Sequence, residues 1–340
     1  MSIAKEKAVK DPKMVAALKL LKKLQDKHSG VVETSDLPEE FRSLLVTTGF
    51  LRQVSKGWYV CSNPKDGPGD STSWYASFRP FLSGYLRKRF GKRYCLNPEA
   101  SLLLQTGSTV IPRQVTAVTK ESGNSVLNLL FDTSLLVYAD ERRVPKSRIE
   151  VQGLQVLPLP EALCRVQPRF FVSNSREIEI ALAQIRDVSE LLSTLLADEG
   201  MPTAAGRLAG ALAQAGRQDE ADRVVKTMTN AGYKVLVTNP YAEIAGFVPT
   251  IGLTRERSPY VLRLKSMWAG WRDDVLSIFP QAPGVPADAE QYLQQVQDRY
   301  VADAYNSLSI EGYQVTDALI ERVAKNGWSP EDNEEDKESR

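Results

Sequence analysis

The amino-acid sequence predicts an α+β protein in which helices flank a strand-rich middle part. Apolar residues recur at helical spacing in residues 12–27, 175–231 and 288–308. Short runs rich in Val, Leu and Thr, separated by turn residues, fill residues 114–157. With 340 residues, 42% hydrophobic and 25% charged, the chain has a globular composition and room for about two or three domains.

Residues 1–65 carry the element order of a winged helix-turn-helix. Pro12 suits the first turn of a lysine-rich helix, and Ser35 or Asp36 can cap a second main helix. The tight turn Ser55-Lys56-Gly57 between two strands has the form of a wing. The predicted elements are a helix over 12–27, an extended piece at 30–32, a second main helix over 38–48, and strands at 50–54 and 58–61.

A winged helix-turn-helix contacts DNA through polar and cationic side chains of its second main helix and through its wing. Protein binding is the alternative use of this fold, with the lysines forming a solvated face. Because the basic excess is concentrated here, the sequence favours DNA. The candidate contact residues are Arg42, Ser43, Thr47 and Thr48 on the helix, and Arg52 and Lys56 on the wing.

A second basic cluster, Arg87-Lys88-Arg89, ends an amphipathic helix predicted from Trp74. Cations in the last turn of a helix interact favourably with the helix dipole, so part of the cluster can act by stabilising its own helix. Its density exceeds that need. Phosphate contact is therefore a second candidate role for these three residues.

Three strings in a fixed order resemble the AbiEi-type antitoxins over roughly residues 13–165. They are Gly49-Phe-Leu-Arg-Gln-Val-Ser-Lys-Gly-Trp-Tyr-Val60, the run from Tyr94 to Gly107, and Val110-Ile-Pro-Arg-Gln-Val115. The resemblance implies an N-terminal winged helix that binds its own promoter, followed by an α/β domain with further basic surface. One departure is the short segment between the first helix and the second main helix.

The rest of the chain divides by composition and periodicity. The strands of the middle part predict a small antiparallel or mixed sheet, and the later helices include a hairpin around Gly216-Arg217. The predicted parts are a linker at 66–73, an AbiEi-like α/β domain at 74–170, a helical hairpin region at 171–240, a helical region at 253–330 and a charged tail at 331–340.

Ser307, Glu311 and Gly312 follow the pattern Ser or Thr, three residues, Glu, then Gly or Asn. They resemble the inhibitory helix of Fic-type AMP-transferases, whose catalytic motif beginning His-Pro-Phe does not occur in this sequence. The resemblance implies that Glu311 pairs with an arginine of a Fic core where the ATP γ-phosphate should lie. A solvated glutamate before a helix-breaking glycine is the alternative.

Catalysis is not predicted. His28 is the only histidine and ends a helix, and the spacing of Cys61, Cys95 and Cys164 predicts neither a zinc site nor disulfides. No phosphate-binding glycine loop is present, so no nucleotide cofactor is expected, and the histidine and cysteine positions give no reason to expect a metal. Without an apolar membrane span or a secretory signal, we expect a cytoplasmic protein that has no membrane partner.

Charge is unevenly distributed along the chain. Residues 1–93 carry 18 Lys and Arg against 9 Asp and Glu, whereas residues 288–340 carry 5 against 13. The two ends of the chain are therefore expected to have different partners.

The sequence leaves two hypotheses for the function. Either the chain is a non-catalytic, antitoxin-like regulator that binds DNA and inhibits a Fic core in cis or in trans, or it is a DNA-binding transcriptional regulator whose C-terminal helices only form a homodimer.

Overall fold

A computed structural model describes residues 12–67, 69–120, 124–140, 144–145, 147–197, 200–252, 254, 256–281, 284, 288–310 and 320–321. The fold class is α+β, as predicted. The chain divides into two compact units, residues 1–273 and 274–340.

The N-terminal part forms a three-stranded antiparallel sheet with two helices on one face. The strand order is β1-β3-β2, and Val31 pairs with Val60 while Arg52 pairs with Val60 from the other side. A 3₁₀ helix, Thr34–Asp36, occupies the short segment between the first two helices. The elements are α1 (Pro12–His28), β1 (Val31–Glu33), α2 (Glu39–Thr47), β2 (Leu51–Ser55) and β3 (Trp58–Cys61).

Alternating side chains of this sheet pack on opposite faces. Val32 and Cys61 join the core formed with α1 and α2, whereas Trp58 and Val60 join a second core. That second core is formed with helix α3 (Thr72–Phe90), where Phe81 meets Trp58 edge-on at 5.7 Å between ring centroids. The residues on either side of the predicted linker therefore share one apolar core.

The middle part contains a four-stranded mixed sheet, one of the two kinds that the sequence predicts, but the strands predicted at 149–157 form a separate hairpin. The order of the mixed sheet is β4-β5-β7-β6, with β5 and β7 parallel and the two outer pairs antiparallel. Asn97 caps helix α4 by accepting a hydrogen bond from the Ala100 N–H at 3.1 Å. The elements are β4 (Tyr94–Leu96), α4 (Pro98–Gln105), β5 (Gln114–Thr119), β6 (Ser125–Asn128), β7 (Ser134–Ala139) and the hairpin β8 (Ile149–Val151) and β9 (Leu154–Val156).

Six short helices follow and form the largest apolar core. The apolar residues from Ile178 to Leu195 lie on two helices separated by residues 185–188. Both groups face the same core. The helices are α5 (Leu159–Arg165), α6 (Pro168–Ser173), α7 (Ser175–Gln184), α8 (Ser189–Leu195), α9 (Pro202–Gln214) and α10 (Gln218–Asn230).

An extended segment after α10 lies directly against the glycines of α9. A Cβ on Gly206 would stand 2.0 Å from the Leu236 carbonyl oxygen, and one on Gly210 would stand 1.9 Å from that of Thr238. The Thr238 N–H donates to the Gly206 carbonyl at 3.3 Å. The two glycines let the backbone approach closely, and the Leu236 side chain remains exposed.

Two longer helices follow: α11 (Pro259–Ile278) and α12 (Ala289–Ile310). In α11, Leu262 and Ser266 are buried, and Leu262 packs with Ile180 and Ile251. Both helices expose large hydrophobic side chains. These are Tyr260, Leu264, Trp268, Trp271, Leu276 and Ile278 on α11, and Tyr292, Leu293, Val296, Tyr300 and Tyr305 on α12.

Candidate functional site

The segment Glu33–Thr34 connects three of the predicted basic elements. The Thr34 N–H donates to the Gly57 carbonyl of the wing turn at 3.0 Å. The Thr34 carbonyl accepts from Arg42 Nη1 of α2 at 3.1 Å. The Glu33 carboxylate pairs with the Lys88 ammonium of α3. The second main helix, the wing and the second basic cluster therefore meet around this segment, which we call the wing junction.

Arg42 has a structural role at the wing junction. Besides Thr34, its Nη1 lies 3.4 Å from the Leu37 carbonyl, and its guanidinium lies 6.0 Å from the centre of the Tyr59 ring. These contacts fix α2 against the 3₁₀ helix and β3. Arg42 is half-buried and its guanidinium is engaged, so it has less freedom to reach a phosphate than the sequence suggested.

The exposed face of α2 is polar and acidic. Ser43 and Thr47 are exposed as predicted, but the Thr47 hydroxyl donates to the Ser43 carbonyl at 2.9 Å. Glu39 and Glu40 lie in the first turn, where they stabilise the helix dipole. These two carboxylates lie at the end of the helix that would approach the base pairs. Their negative charge disfavours direct base contact by α2.

The two wing cations lie in different surroundings. Lys56 is exposed at the tip of the wing. The Arg52 guanidinium lies 5.5 Å from the centre of the Phe131 ring in the middle part. Lys56 is thus available to a phosphate, whereas Arg52 contributes to the contact between the N-terminal sheet and the middle part.

The second basic cluster is partly paired. Arg87 pairs with Glu150 at 3.1 Å, and Lys88 lies 5.6 Å from the centre of the Trp58 ring as well as pairing with Glu33. Arg89 Nη1 donates to the Tyr85 hydroxyl at 2.9 Å. All three side chains are exposed, so their charges contribute to the surface potential while their geometry is set by the fold.

A cleft of about 470 Å³ opens beside the wing junction, between β3 and α3. Its charged groups have partners within the protein. Asp36 accepts from the Glu33 N–H at 2.7 Å, and the Arg79 guanidinium donates to the Ser108 carbonyl. The cleft therefore offers little uncommitted charge to a ligand.

Of the predicted inhibitory motif, the structure describes Ser307 alone. Ser307 is exposed near the end of α12, and Glu311 and Gly312 lie outside the described residues. The interaction proposed for Glu311 stays a prediction.

The three cysteines are free and buried. Burial raises the pKa of the Cys61 thiol to about 11, and the pKa values of Cys95 and Cys164 to about 12. A thiol acts as a nucleophile only as the thiolate. At neutral pH these three side chains are therefore core residues rather than candidate nucleophiles.

Two acidic residues that sequence reasoning missed are buried on α7. Glu177 pairs with Arg263 of α11 at 2.9 Å, with both side chains almost enclosed. Glu179 accepts from the Thr250 hydroxyl at 2.6 Å, and burial raises its pKa while the Thr250 hydrogen bonds lower it. These carboxylates attach α11 and the 250s segment to the helical core. The sequence carries no local signal for this role.

Arg217 and Arg207 also have structural roles. Arg217 pairs with Glu220, and its Nη1 donates to the Leu182 carbonyl at 2.6 Å. Arg207 lies 5.3 Å from the centre of the Phe171 ring and donates to the Val166 carbonyl at 3.3 Å. Both guanidinium groups are held by the helical core.

No protein-family model matches the chain, and the search of curated proteins finds no match. Within the described residues, no helix combines the length and the apolar character needed to cross a membrane.

Proposed function

We propose that the chain is a regulatory protein that binds DNA through a winged-helix-like N-terminal module. The observation that supports this most is the wing junction, where the wing turn, α2 and the basic end of α3 are held together by Thr34 and Glu33. The order α1, β1, 3₁₀ helix, α2, β2, β3 agrees with a winged helix whose middle helix is reduced to one 3₁₀ turn.

The charges of this module favour phosphate contact over base reading. Lys56 is exposed on the wing, and Lys22, Lys23 and Lys27 are exposed on α1. By contrast, α2 exposes Glu39 and Glu40, and its only cation, Arg42, is engaged. Phosphate contacts give affinity that is strong at low salt and little dependent on sequence.

Replacing Lys56 with alanine should weaken binding to a DNA duplex similarly for different sequences. It should also make the slope of log K against the logarithm of the salt concentration less steep by about 1, the contribution of one phosphate contact. Fluorescence anisotropy with the duplex from the chain's own upstream region, and with an unrelated duplex, measures both quantities. Lys226→Ala is the matched control, because Lys226 is an exposed lysine on α10, away from the wing junction. Salt-independent binding, or equal effects of the two variants, would contradict the proposal.

We also propose that Glu311 inhibits a Fic AMP-transferase core, in cis or in trans, as the motif resemblance implies. The support is the sequence pattern together with the exposed position of Ser307 on α12, which carries an exposed apolar stripe from Tyr292 to Tyr305. Such a stripe fits a helix that packs on a partner.

Mixing the chain with a Fic core should suppress auto-AMPylation of that core, and Glu311→Gly should abolish the suppression because the carboxylate is lost. Glu290→Gly, at the first turn of α12, controls for the loss of an acidic residue at the opposite end of the helix. If the Glu311→Gly variant inhibits as well as the parent chain, the inhibitory role is excluded.

A further inference from the structure

Helix α11 carries an uninterrupted heptad pattern of apolar residues, four of which are exposed and two of which, Val261 and Val275, are half-buried. Val261, Leu264, Trp268, Trp271, Val275 and Ile278 are separated alternately by three and four residues, which is the a/d spacing of a two-stranded coiled coil. Leu264 is 65% exposed, and each tryptophan is 52% exposed. We call these six residues the α11 seam.

The seam lies on the face of α11 opposite to the one that packs on the helical core. Leu262 and Ser266 are buried at 0% and 1% exposure, and both lie about half a helical turn from the seam. Arg263 and Glu177 hold the helix on that inner side through their ion pair. The core contact therefore positions the helix and leaves the seam open.

We propose that a second copy of the chain covers the α11 seam, in a parallel two-helix contact. A partner helix must present the same 3.5-residue spacing, and a second α11 presents it in register. Tryptophans bury about 150–250 Å² each, so four half-exposed ones in a pair would bury about 300–500 Å². That is a substantial share of the roughly 1,000 Å² of a specific interface, with Leu264, Val275 and Ile278 adding to it.

The charges beside the seam favour the parallel orientation. Lys265 and Arg272 occupy the same flank, and both are exposed. In an antiparallel pair, this flank meets its own copy, so Lys265 would face Arg272 of the other copy, and like charges repel. In a parallel pair, Lys265 lies beside Tyr260 and Arg272 beside Met267 of the other copy, where a cation can contact a ring or a thioether.

A parallel pair would also place two DNA-binding modules together, and this part of the inference rests on the proposed DNA binding. Parallel helices place the two N-terminal modules at the same end of the pair. Two modules related by a two-fold axis suit two half-sites on one duplex. The dimer itself does not depend on DNA binding and is tested without DNA.

Sedimentation velocity of the full chain should show a dimer, and Trp268→Asp should raise its dissociation constant at least about 30-fold because a buried tryptophan pair is lost. Ala269→Asp is the matched control, since Ala269 is exposed on the same helix outside the seam. Circular dichroism checks that both variants are folded. A parent chain that is monomeric at about 100 μM, or equal effects of the two variants, would overturn the proposal.

Disulfide trapping distinguishes the orientations. Val275 meets Val275 of the other copy in a parallel pair but Leu264 in an antiparallel one. Val275→Cys alone should therefore give a covalent dimer under mild oxidation, and Ala269→Cys should not. The three native thiols are buried, so the unsubstituted chain serves as the blank. Trapping that requires Leu264→Cys together with Val275→Cys would show an antiparallel pair and contradict the parallel one.

Discussion

Replacing Arg263 with alanine should lower the free energy of unfolding by about 3–5 kcal/mol. The change leaves the Glu177 carboxylate buried without its partner, and it also removes a donor 3.3 Å from the Thr106 carbonyl. Urea denaturation followed by circular dichroism measures the change.

Arg272→Ala is the control for Arg263→Ala, because Arg272 lies on the same helix and forms an exposed pair with Asp273 at 3.4 Å. Loss of an exposed pair costs about 0–1 kcal/mol. The double variant Glu177→Leu and Arg263→Met should recover much of the stability, since an apolar pair leaves no buried charge. Arg263→Ala and Arg272→Ala variants of equal stability would contradict the buried role assigned to Arg263.

Replacing Gly210 with alanine should destabilise the protein by about 1–3 kcal/mol through overpacking. The added methyl group would stand 1.9 Å from the Thr238 carbonyl oxygen, so either α9 or the extended segment after α10 must move. The direction of the change in stability is informative, because replacing glycine with alanine at an uncrowded helix position stabilises a protein by about 1 kcal/mol. Here the close backbone contact outweighs helix propensity.

Gly270→Ala provides the matched control for the Gly210 variant. Gly270 is inside α11 with no atom within 4 Å of an added Cβ, so its substitution should be neutral or stabilising. Thermal unfolding compares the two variants, and hydrogen exchange should show faster exchange in residues 233–240 for Gly210→Ala alone. Stabilisation by Gly210→Ala would show that the extended segment does not lie on the α9 glycines.

Local patterns were sufficient to predict most elements. The strands within residues 114–157 follow from their β-rich composition and the turn residues between them. The sequence did not indicate that the N-terminal sheet is covered on both faces. Val31 and Val32 look alike in the sequence, and only the position of α3 assigns one to each core.

The candidate DNA-contact residues were chosen from the sequence, but their partners within the protein could not be. The sequence placed Arg42 and Lys56 in one winged-helix module and Lys88 in a second basic cluster, and it did not indicate that all three meet at the wing junction. It could not show that Arg42 donates to the Thr34 carbonyl or that Lys88 pairs with Glu33, because the latter partners are 55 residues apart. Glu177 and Arg263 are 86 residues apart, so their pairing depends on tertiary structure alone.

A hydrogen-exchange footprint of the full chain with and without a DNA duplex tests the central claim most directly. Binding through the wing junction predicts slower exchange in residues 33–36 and 55–58, with α9 and α10 unchanged. Slower exchange confined to α9 and α10, or an unchanged pattern in low salt with saturating duplex, would contradict DNA binding through this module.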